Sequence, residues 1–401
     1  MSIGPALPNE TDVVIVGGGV MGTSTAYYLA TESDRDVAVI EKDNLAAGST
    51  GDSSANIRFN YGPHETYSRL AWWSRSVYQE FEKLTGQPIA YVECPRVRFA
   101  DEGTDQGEFI QAGYDVLSSL DIPVERIESA EIAERYPMFP AAASFDFGVV
   151  ELAAAYSDAV DVTNGFARGA RDADATVHTG VTVESVETAS GAVTGVETSD
   201  GSVACNEVVL AAGPWNGQLA ADLGVDLPMI PTREEIFILE PPDEFIETHL
   251  PKMPMTRFED GLWYGRPDFN DGVLIGTHPF PDRPVDPDNY DDVPDEETAL
   301  EVYDLLEENV PGLVDAEIRG QYCGLYSTTP DHDFILDELG PAGCYITTGF
   351  SGHGFKMAPA VGRIMRDLIV DGETEMVDMD LFALDRFDME TEGHGRPVEP
   401  L

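Results

Sequence analysis

Lysine is nearly absent from this sequence. Lys and Arg together number 23 among 401 residues, against 74 Asp and Glu, and the lysines are only Lys42, Lys83, Lys252 and Lys356. Proteins that bind nucleic acids or anionic membrane surfaces need clusters of basic residues to contact phosphate. A formal net charge of -51 therefore argues against both kinds of partner.

Cysteine and long apolar runs are also scarce. No apolar run reaches the roughly 18 residues that a membrane-spanning helix requires, and the N-terminus lacks the basic start and apolar stretch of a signal peptide. The cysteines show no Cys-X-X-Cys pair and no metal-ligand spacing, being Cys94, Cys205, Cys323 and Cys344. We therefore expect a reduced, cytoplasmic protein with neither an integral membrane segment nor a metal site.

The remaining composition is that of a folded protein. Hydrophobic residues make up 42% of the chain and aromatic residues 9%, which is too much for a disordered acidic chain. The length suggests two structural units. Because the screening length falls to about 3 Å in molar salt, high salt relieves the repulsion among carboxylates that are spread along the whole chain. We therefore expect a salt-adapted protein that high salt stabilises.

The chain begins with the pattern of a dinucleotide-binding βαβ unit. Residues 12–16 (DVVIV) predict a buried strand, GGGVMG a glycine turn, the following residues a helix, and residues 37–41 (VAVIE) a second strand. In the motif Gly-X-Gly-X-X-Gly, Gly17 permits the turn, Gly19 lets backbone approach a pyrophosphate, and Gly22 lets helix and strand pack closely. Glu41, at the end of the second strand, is placed to bind a ribose hydroxyl. The motif alone does not distinguish FAD from NAD.

Three further stretches carry a family resemblance. Residues 48–62 (GSTGDSSANIRFNYG), 208–215 (VVLAAGPW) and 322–356, with its segments LYSTTPD and GFSGHGFK, resemble the D-amino acid oxidase superfamily. Within it they are most similar to the branch of monomeric sarcosine oxidase and the sarcosine oxidase β-subunit. The resemblance spans nearly the whole chain and implies FAD as the cofactor, extended between elements from opposite ends of the sequence.

The resemblance also implies a fold and its division into domains. We expect an α/β fold, with α+β character in the second domain. A Rossmann-type FAD-binding domain would comprise residues 1–88, 151–225 and 321–375. An interleaved substrate domain with a mostly antiparallel sheet would comprise residues 89–150 and 226–320, and an acidic C-terminal tail residues 376–401. Helical patterns are expected near 66–84, 128–136, 158–172, 295–309 and 356–370.

The positions that match the family's cofactor contacts come from both ends of the chain. The loop before the last helix is expected to direct its backbone N–H groups at the flavin, since a helix N-terminus stabilises negative charge. The cofactor-binding residues implied by the resemblance are Gly17, Gly19, Val20, Met21, Gly22, Glu41, Lys42, Ser49, Thr50, Val181, Ala212, Gly213, Trp215, Gly349, Ser351, Gly352, His353, Gly354 and Lys356.

Five residues match the family's substrate site. Arg58 and Lys356 occupy the positions whose side chains clamp the substrate carboxylate in sarcosine oxidases. Tyr264 and Tyr326 match the tyrosines that wall the cavity over the flavin, and His353 matches a histidine that contacts it. Lys356 is more telling than Arg58, because the sequence contains only four lysines.

The sequence departs from the family pattern at three positions. An arginine of the family falls at Ala55, so one contact near the flavin or substrate is missing. The cysteine that links flavin covalently in monomeric sarcosine oxidases is replaced by Gly324, with Cys323 one residue too early, so we expect noncovalent FAD. Leu274 replaces the lysine that assists reaction with oxygen, which predicts slow reaction with oxygen and another electron acceptor. For His278, which matches a further family histidine, structural and catalytic roles remain open.

The implied reaction is oxidation of the C–N bond of a small amino acid, of the sarcosine, N-methyl or D-amino acid type, by hydride transfer to flavin. The product imine would then hydrolyse. Two cations that bind a carboxylate do not distinguish a substrate with nitrogen on the adjacent carbon from one with oxygen there. Oxidation of a 2-hydroxy acid therefore remains an alternative. A second alternative is that the protein is a flavoprotein subunit of a larger electron-transfer dehydrogenase complex. The acceptor remains open between a quinone, an electron-transfer protein and oxygen.

Overall fold

A computed structural model describes residues 6–257, 263–277 and 283–387. Its strands are, in chain order, β1 Val13–Val16, β2 Val37–Glu41, β3 Asn56–Ile57, β4 Tyr91–Glu93, β5 Arg96–Ala100, β6 Val124–Glu128, β7 Phe147–Glu151, β8 Ala155–Ser157, β9 Thr176–Thr179, β10 Val183–Ala189, β11 Ala192–Thr198, β12 Gly201–Ala204, β13 Glu207–Leu210, β14 Ile230–Glu240, β15 Met255–Arg257, β16 Trp263–Pro267, β17 Val273–Thr277, β18 Glu317–Thr328, β19 Ile335–Glu338 and β20 Cys344–Thr348. Its α-helices are α1 Val20–Glu32, α2 Glu65–Gln79, α3 Phe81–Thr85, α4 Asp105–Ser119, α5 Ser129–Arg135, α6 Ala159–Asp172, α7 Asn216–Asp222, α8 Asp243–Thr248, α9 Glu296–Asn309 and α10 Gly354–Asp371.

The first sheet has the order β19-β20-β13-β1-β2-β9 and is parallel except at β19. Its central strands are apolar on both faces because both faces are covered. Val13 and Ile15 pack in a cluster with helices α1, α6 and α10, whereas Val14 and Val16 pack against the small antiparallel sheet β10-β11-β12. This is the Rossmann-type arrangement expected from the sequence, and it brings the ends of β1, β2 and β13 together.

The second large sheet has the order β18-β14-β17-β16-β15-β5-β7-β6. Every neighbouring pair is antiparallel except β15 and β5, so the sheet is mostly antiparallel as expected. Helices α5 and α9 supply apolar side chains to the cluster on one of its faces. A short sheet of β3, β4 and β8 carries the loop that contains Arg58. Strand β18 crosses the predicted domain boundary at residue 320, and we propose that the second domain extends to Thr328.

Two helical predictions need correction. The helix expected over 66–84 is divided into α2 and α3 at Glu80, whose φ of -102° and ψ of 14° leave the helical region. Helix α4 was not predicted, because Gly107 and Gly113 lower its helix propensity. Both glycines are required by close contacts: a Cβ at Gly113 would lie 1.9 Å from Asn60 Oδ1, and one at Gly107 would lie 2.1 Å from the Asp101 carbonyl oxygen.

The described part of the acidic C-terminal tail packs onto the first domain. Phe382 is fully buried and stacks on Phe334 with ring centroids 4.5 Å apart. Arg386 forms an ion pair of 2.8 Å with Asp331. Residues 388–401 of the predicted tail lie outside the described residues.

Among the residues that the structure describes, no helix is both long and apolar enough to cross a lipid bilayer.

Candidate active site

The glycine loop after β1 is shaped by close backbone contacts. Gly17 has a φ of +113°, and a Cβ there would lie 2.5 Å from the Ala211 carbonyl oxygen. A Cβ on Gly22 would lie only 2.0 Å from the Gly17 carbonyl oxygen, so helix α1 packs on the loop only with glycine there. The Val20 N–H, in the first turn of α1, donates to Thr50 Oγ1 at 3.2 Å, and Gly19 lies beside the same oxygen. The unpaired N–H groups of this turn form an anion-binding end.

Glu41 holds the same loop from the end of β2. Its carboxylate accepts from the Gly18 N–H at 2.6 Å and from the Asp43 N–H at 2.8 Å. That an acid here accepts hydrogen bonds from a ribose stays a prediction from the motif. Val181 is buried with its N–H bound to the Glu41 carbonyl oxygen, so its neighbours Thr182 and Val183 line the cavity instead.

Three side chains in mutual contact, Lys42, Trp215 and Asp288, line one part of the cavity. The Lys42 ammonium lies 3.6 Å from the centre of the Trp215 ring, and Trp215 Nε1 donates to Asp288 at 2.6 Å. Lys42 and Asp288 also form an ion pair at 3.8 Å. Lys42 and Trp215 come from different loops, so this group ties together the ends of β2 and β13.

The loop between β20 and α10 turns sharply into the same cavity. Gly349 and Gly352 have φ values of +74° and +81°, and Ser351, with φ of +45°, donates its N–H to the Ser327 carbonyl oxygen at 2.9 Å. A Cβ on Gly352 would lie 2.7 Å from the Tyr326 ring, and one on Gly354 would lie 2.8 Å from Met21 Cε. Glycines therefore let the N-terminus of α10 approach that of α1.

The two helices are locked together along their length. Ser24 Oγ donates to the Ala358 carbonyl oxygen at 2.8 Å, and a Cβ on Gly362 would lie 2.2 Å from Ser24 Oγ. Pro359 interrupts the helix hydrogen bonds by removing an N–H. The Phe355 carbonyl oxygen released by this interruption accepts from the buried Tyr78 hydroxyl.

These elements enclose a cavity of about 480 Å³. Most of the predicted cofactor residues line it, namely Gly17, Gly19, Val20, Met21, Glu41, Lys42, Ser49, Thr50, Ala212, Gly213, Trp215, Ser351, Gly352 and Gly354. The other predicted cofactor residues lie just behind its wall, namely Gly22, Val181, Gly349, His353 and Lys356.

Tyr264 and Tyr326 line the inner end of the cavity. Their side chains are hydrogen-bonded to each other, and Tyr264 also bonds to Ser54. Burial raises the pKa of Tyr264 to about 12 and that of Tyr326 well above its ordinary value, so both phenols are neutral at physiological pH. Glu234, only 4% exposed, lines the cavity beside them, and its charge adds to both upward shifts.

Arg58 and Lys356 approach the tyrosine pair from the protein interior. The Arg58 guanidinium lies 4.5 Å from the Tyr61 ring centre, and Nη1 donates to the Asn60 carbonyl oxygen at 3.2 Å. Lys356 Nζ donates to the Gly352 carbonyl oxygen at 3.3 Å and has no ion pair with any described residue. Burial, assisted by the charge of Arg58, lowers the pKa of Lys356 well below its ordinary value.

Glu151 organises the backbone around Arg58. Its carboxylate is buried and accepts from the N–H groups of Phe59 and Asn60, at 2.5 and 2.9 Å, while its other oxygen pairs with Arg96 at 2.6 Å. Burial alone would raise the pKa of Glu151, but Arg96 and the Phe59 N–H lower it below its ordinary value. It therefore stays ionised and fixes the loop that presents Arg58.

The positions that depart from the family pattern have clear structural contexts. Gly324 lines the cavity, and a Cβ there would lie 2.9 Å from Asp52 Cβ. The neighbouring Cys323 is buried, accepts from Arg233 Nε at 3.1 Å, and has its pKa raised to about 11 by burial. Leu274 is buried in an apolar cluster with Tyr264.

Ala55 is buried in the main core with a φ of +50°. His353 is buried at the start of α10, with its ring 5.8 Å from that of Tyr61. His278 lies outside the described residues.

Several residues at or near the site were not predicted from the sequence. Glu234 lies within β14, where its alternation with Ile236 on the cavity side was the available signal. Asp52 has its pKa raised to about 6, chiefly by burial and then by Asp292. Arg98 and Arg257 are buried on adjacent strands, which only the sheet order reveals.

Comparison with known proteins agrees with this geometry. Residues 12–368 match the family model DAO, described as FAD dependent oxidoreductase. The chain therefore belongs to this family of FAD-dependent oxidoreductases.

Two characterised relatives cover nearly the same length. The chain is 29% identical over 385 residues to monomeric sarcosine oxidase from Bacillus sp. (strain B-0618), covering 94% of this chain and 96% of that protein. It is 26% identical over 395 residues to N-methyl-L-tryptophan oxidase from Yersinia pestis (strain Pestoides F), covering 94% of this chain and all of that protein.

Solved structures show the same fold. L-proline dehydrogenase from P. horikoshii superimposes with a TM-score of 0.85 at 24% identity, covering 95% of this chain and 99% of that one. Glycine oxidase from Geobacillus kaustophilus superimposes with a TM-score of 0.81 at 22% identity, covering 96% of this chain and all of that one.

The lining of the cavity fits FAD. The loop has no room for a side chain at Gly17 or Gly22, and two helix N-termini face the cavity. Two lining hydroxyls, Ser49 Oγ and Thr347 Oγ1, are buried without a hydrogen-bond partner among the described residues, as expected for groups that a ligand satisfies. Glu41, Lys42 and Trp215 would hold the adenosine half, and the turn at residues 351–354 would face the flavin.

Replacing Glu41 tests this placement of the adenosine half. We expect Glu41→Ala to weaken FAD binding by about 10- to 100-fold, because a hydrogen bond to a charged group contributes about 1.5–3 kcal/mol. Glu41→Gln should have a smaller effect, since the amide oxygen can still accept from the Gly18 N–H. The measurement is titration of the apoprotein with FAD, followed by quenching of flavin fluorescence.

The matched control is Glu134→Ala, at an exposed position of α5. It should bind FAD like the unaltered protein. Unchanged FAD affinity in Glu41→Ala would show that Glu41 does not contact the cofactor.

Proposed function

We propose that this protein oxidises the C–N bond of a small amino acid, with Arg58 and Lys356 binding the substrate carboxylate. The observation that carries the proposal is the pair of buried cations beside a tyrosine-walled cavity in an FAD-dependent oxidoreductase. An ammonium group that is buried without an ion-pair partner is costly unless a ligand supplies the counter-charge. A substrate carboxylate meets that need, and charge-assisted hydrogen bonds make the interaction strong.

The position of Glu234 favours an amino acid as the substrate over a carboxylic acid that lacks an amine. The charges of Arg58 and Glu234 both act on the Tyr326 phenol, with opposite effects on its pKa. A cationic and an anionic side chain thus lie near one cavity-lining ring. We propose that the amine of the substrate faces Glu234 while its carboxylate lies against Arg58 and Lys356.

The side chains then position the bond that is oxidised. The carboxylate clamp and the two neutral tyrosines fix the substrate, and Glu234 can accept the proton that the amine loses. Bound FAD supplies the acceptor for the hydride that leaves the adjacent carbon. Loss of one hydride and one proton converts the amine into an imine, which water hydrolyses to a carbonyl compound and the free amine. Orientation in the closed cavity supplies much of the rate.

We further propose noncovalent FAD and an acceptor other than oxygen. Cys323 alternates with Tyr322 and Gly324 along β18 and contacts Arg233 instead of the cavity, which disfavours a flavin linkage. Leu274 offers no positive charge beneath Tyr264 to stabilise the negative charge that develops as oxygen is reduced.

The class of substrate is tested by anaerobic reduction of the holoenzyme. Sarcosine, other N-methyl amino acids, D-amino acids, proline and 2-hydroxy acids are added in turn, and loss of the flavin absorbance is recorded. We expect reduction by at least one class of amino acid, with its imine-derived products detected by mass spectrometry. Reduction by 2-hydroxy acids alone would replace this proposal with alcohol oxidation.

The acceptor is tested by rapid mixing of the substrate-reduced enzyme. We expect reoxidation by air-saturated buffer to be slower than reoxidation by a soluble quinone, and Leu274→Lys to accelerate the reaction with oxygen. Leu300→Lys, at an exposed position of α9, serves as the control for an added lysine. Fast peroxide formation by the unaltered protein would refute the argument from Leu274.

Replacing Lys356 tests the clamp. Lys356→Met should raise the KM for the substrate by about 10- to 100-fold, because it removes one charge-assisted hydrogen bond to the carboxylate. The matched control, Lys252→Met at an exposed position, should leave KM unchanged. An unchanged KM in Lys356→Met would show that the carboxylate binds elsewhere.

The lowered pKa of Lys356 gives the same test a pH readout. Burial favours the neutral amine in the ligand-free protein, and a nearby carboxylate raises the pKa again by stabilising the cation. Between these two pKa values, carboxylate binding should therefore take up a proton. Calorimetry in buffers of different ionisation enthalpy measures this uptake, which Lys356→Met should abolish.

A further inference from the structure

The interior behind Tyr264 concentrates positive charge in a protein that has little of it. Five cationic side chains are each less than one-tenth exposed and act on one another's pKa values. Two neighbouring strands of the large sheet, the loop after β3 and helix α10 supply them. The five residues are Arg58, Arg96, Arg98, Arg257 and Lys356. We call these five residues the cationic cluster.

Among the described residues, two carboxylates act on the cationic cluster or on the tyrosines beside it. One carboxylate oxygen of Glu151 pairs with Arg96, and the other accepts hydrogen bonds from two backbone N–H groups. Glu234 acts on the tyrosine pair. One substrate carboxylate on Arg58 and Lys356 still leaves the Arg98 guanidinium without an ion-pair partner among the described residues.

The buried side chain of Arg98 is the strongest indication of a missing anionic ligand. It is 7% exposed, and its side chain has neither a hydrogen bond nor an ion pair among the described residues; its Nε is buried and unsatisfied. Its guanidinium carbon lies 5.5 Å from the Phe109 ring centre. Burial, and then the charges of Arg96, Arg257 and Arg58, lower the pKa of Arg98.

The strand register relates Arg98 to Tyr264, which lines the cavity. Tyr264 on β16 pairs directly with Arg257 on β15. On the next strand, Thr256 pairs with Val97 in parallel register, so Arg257 and Arg98 follow at neighbouring positions. Residues at neighbouring positions share a face of the sheet. Arg257 and Arg98 therefore lie on the same face of the sheet as Tyr264, behind the residues that line the cavity.

We propose that the substrate carries a second anionic group, a side-chain carboxylate bound by Arg98 with Arg257 beside it. The preferred substrates would then be dicarboxylic amino acids of the aspartate or glutamate type, or their N-methyl derivatives. This inference rests on the proposed amino acid oxidation for its reaction, though not for the binding site itself. A guanidinium suits the role because its fork of N–H groups binds both oxygens of a carboxylate.

Kinetics with matched substrate pairs test the inference. Both enantiomers of N-methylaspartate and N-methylglutamate are compared with N-methylasparagine and N-methylglutamine, which have nearly the same shape but a neutral side chain. We expect kcat/KM to be about 10- to 100-fold higher for the acids, the range for a charge-assisted hydrogen bond. Equal or faster oxidation of the amides would overturn the inference.

Variants locate the second carboxylate. Arg98→Met should reduce the acid-to-amide ratio of kcat/KM toward one, and Arg98→Lys, which keeps the charge, should retain part of it. Arg168→Met, on an exposed face of α6, is the matched control and should keep the full ratio. An undiminished ratio in Arg98→Met would contradict the assignment. Should this variant fail to fold, the Arg98→Lys ratio decides, since loss of the fork geometry should still lower it.

A binding measurement separates this inference from the proposed function. Succinate and butyrate are titrated into the FAD-loaded protein, and the perturbation of the flavin spectrum gives each Kd. We expect succinate to bind at least about 10-fold more tightly, and equal affinities would overturn the second site. Selective succinate binding without flavin reduction by any amino acid would leave the anion site standing and refute amino acid oxidation.

Discussion

The contact between helices α1 and α10 is the constraint on which the cofactor site depends. A glycine at 362 lets the helices approach until Ser24 hydrogen-bonds to the Ala358 carbonyl oxygen. This approach brings the N-terminus of a helix from the beginning of the chain next to that of a helix from its end. Two partially positive helix ends then face one cavity, an arrangement suited to a pyrophosphate at one end and an electron-rich ring at the other.

A second constraint is the cost of burying charge in so acidic a chain. Most carboxylates can remain in solvent, whereas the cationic cluster is taken out of water near Tyr264. Glu151 pairs with Arg96 and also holds the backbone that carries Arg58. Since a buried charge is costly without a partner, we propose that Lys356 and Arg98 are preorganised for an anionic ligand. Burial lowers the pKa of Lys356, and the Arg98 side chain has no hydrogen-bond or ion-pair partner among the described residues.

Much of the cofactor site was predictable because its constraints are local. A glycine turn between an apolar strand and a helix identifies the dinucleotide loop, and the residues at Gly349 to Lys356 identify the family. The substrate side depends instead on which strands become neighbours. Arg98 and Arg257 are far apart in the chain and meet only because β15 pairs in parallel with β5. Glu234 likewise gains its significance only when β14 is placed beside the tyrosine pair.

The helix errors have a similar origin. Helix α4 contains two glycines that argue against a helix locally, yet tertiary contacts with Asn60 and with the Asp101 backbone require them. The division between α2 and α3 depends on backbone angles at Glu80 that no periodicity indicates. Local patterns therefore predicted the elements whose role is local and missed those fixed by packing.

The central claim is that Arg58 and Lys356 receive the carboxylate of an amino acid substrate. The most direct measurement is a crystal structure of the FAD-loaded protein with a bound, unreactive amino acid analogue. The account predicts carboxylate oxygens within about 3 Å of both cations, the distance of charge-assisted hydrogen bonds. A carboxylate bound elsewhere, with Lys356 still donating only to the Gly352 carbonyl oxygen, would contradict it.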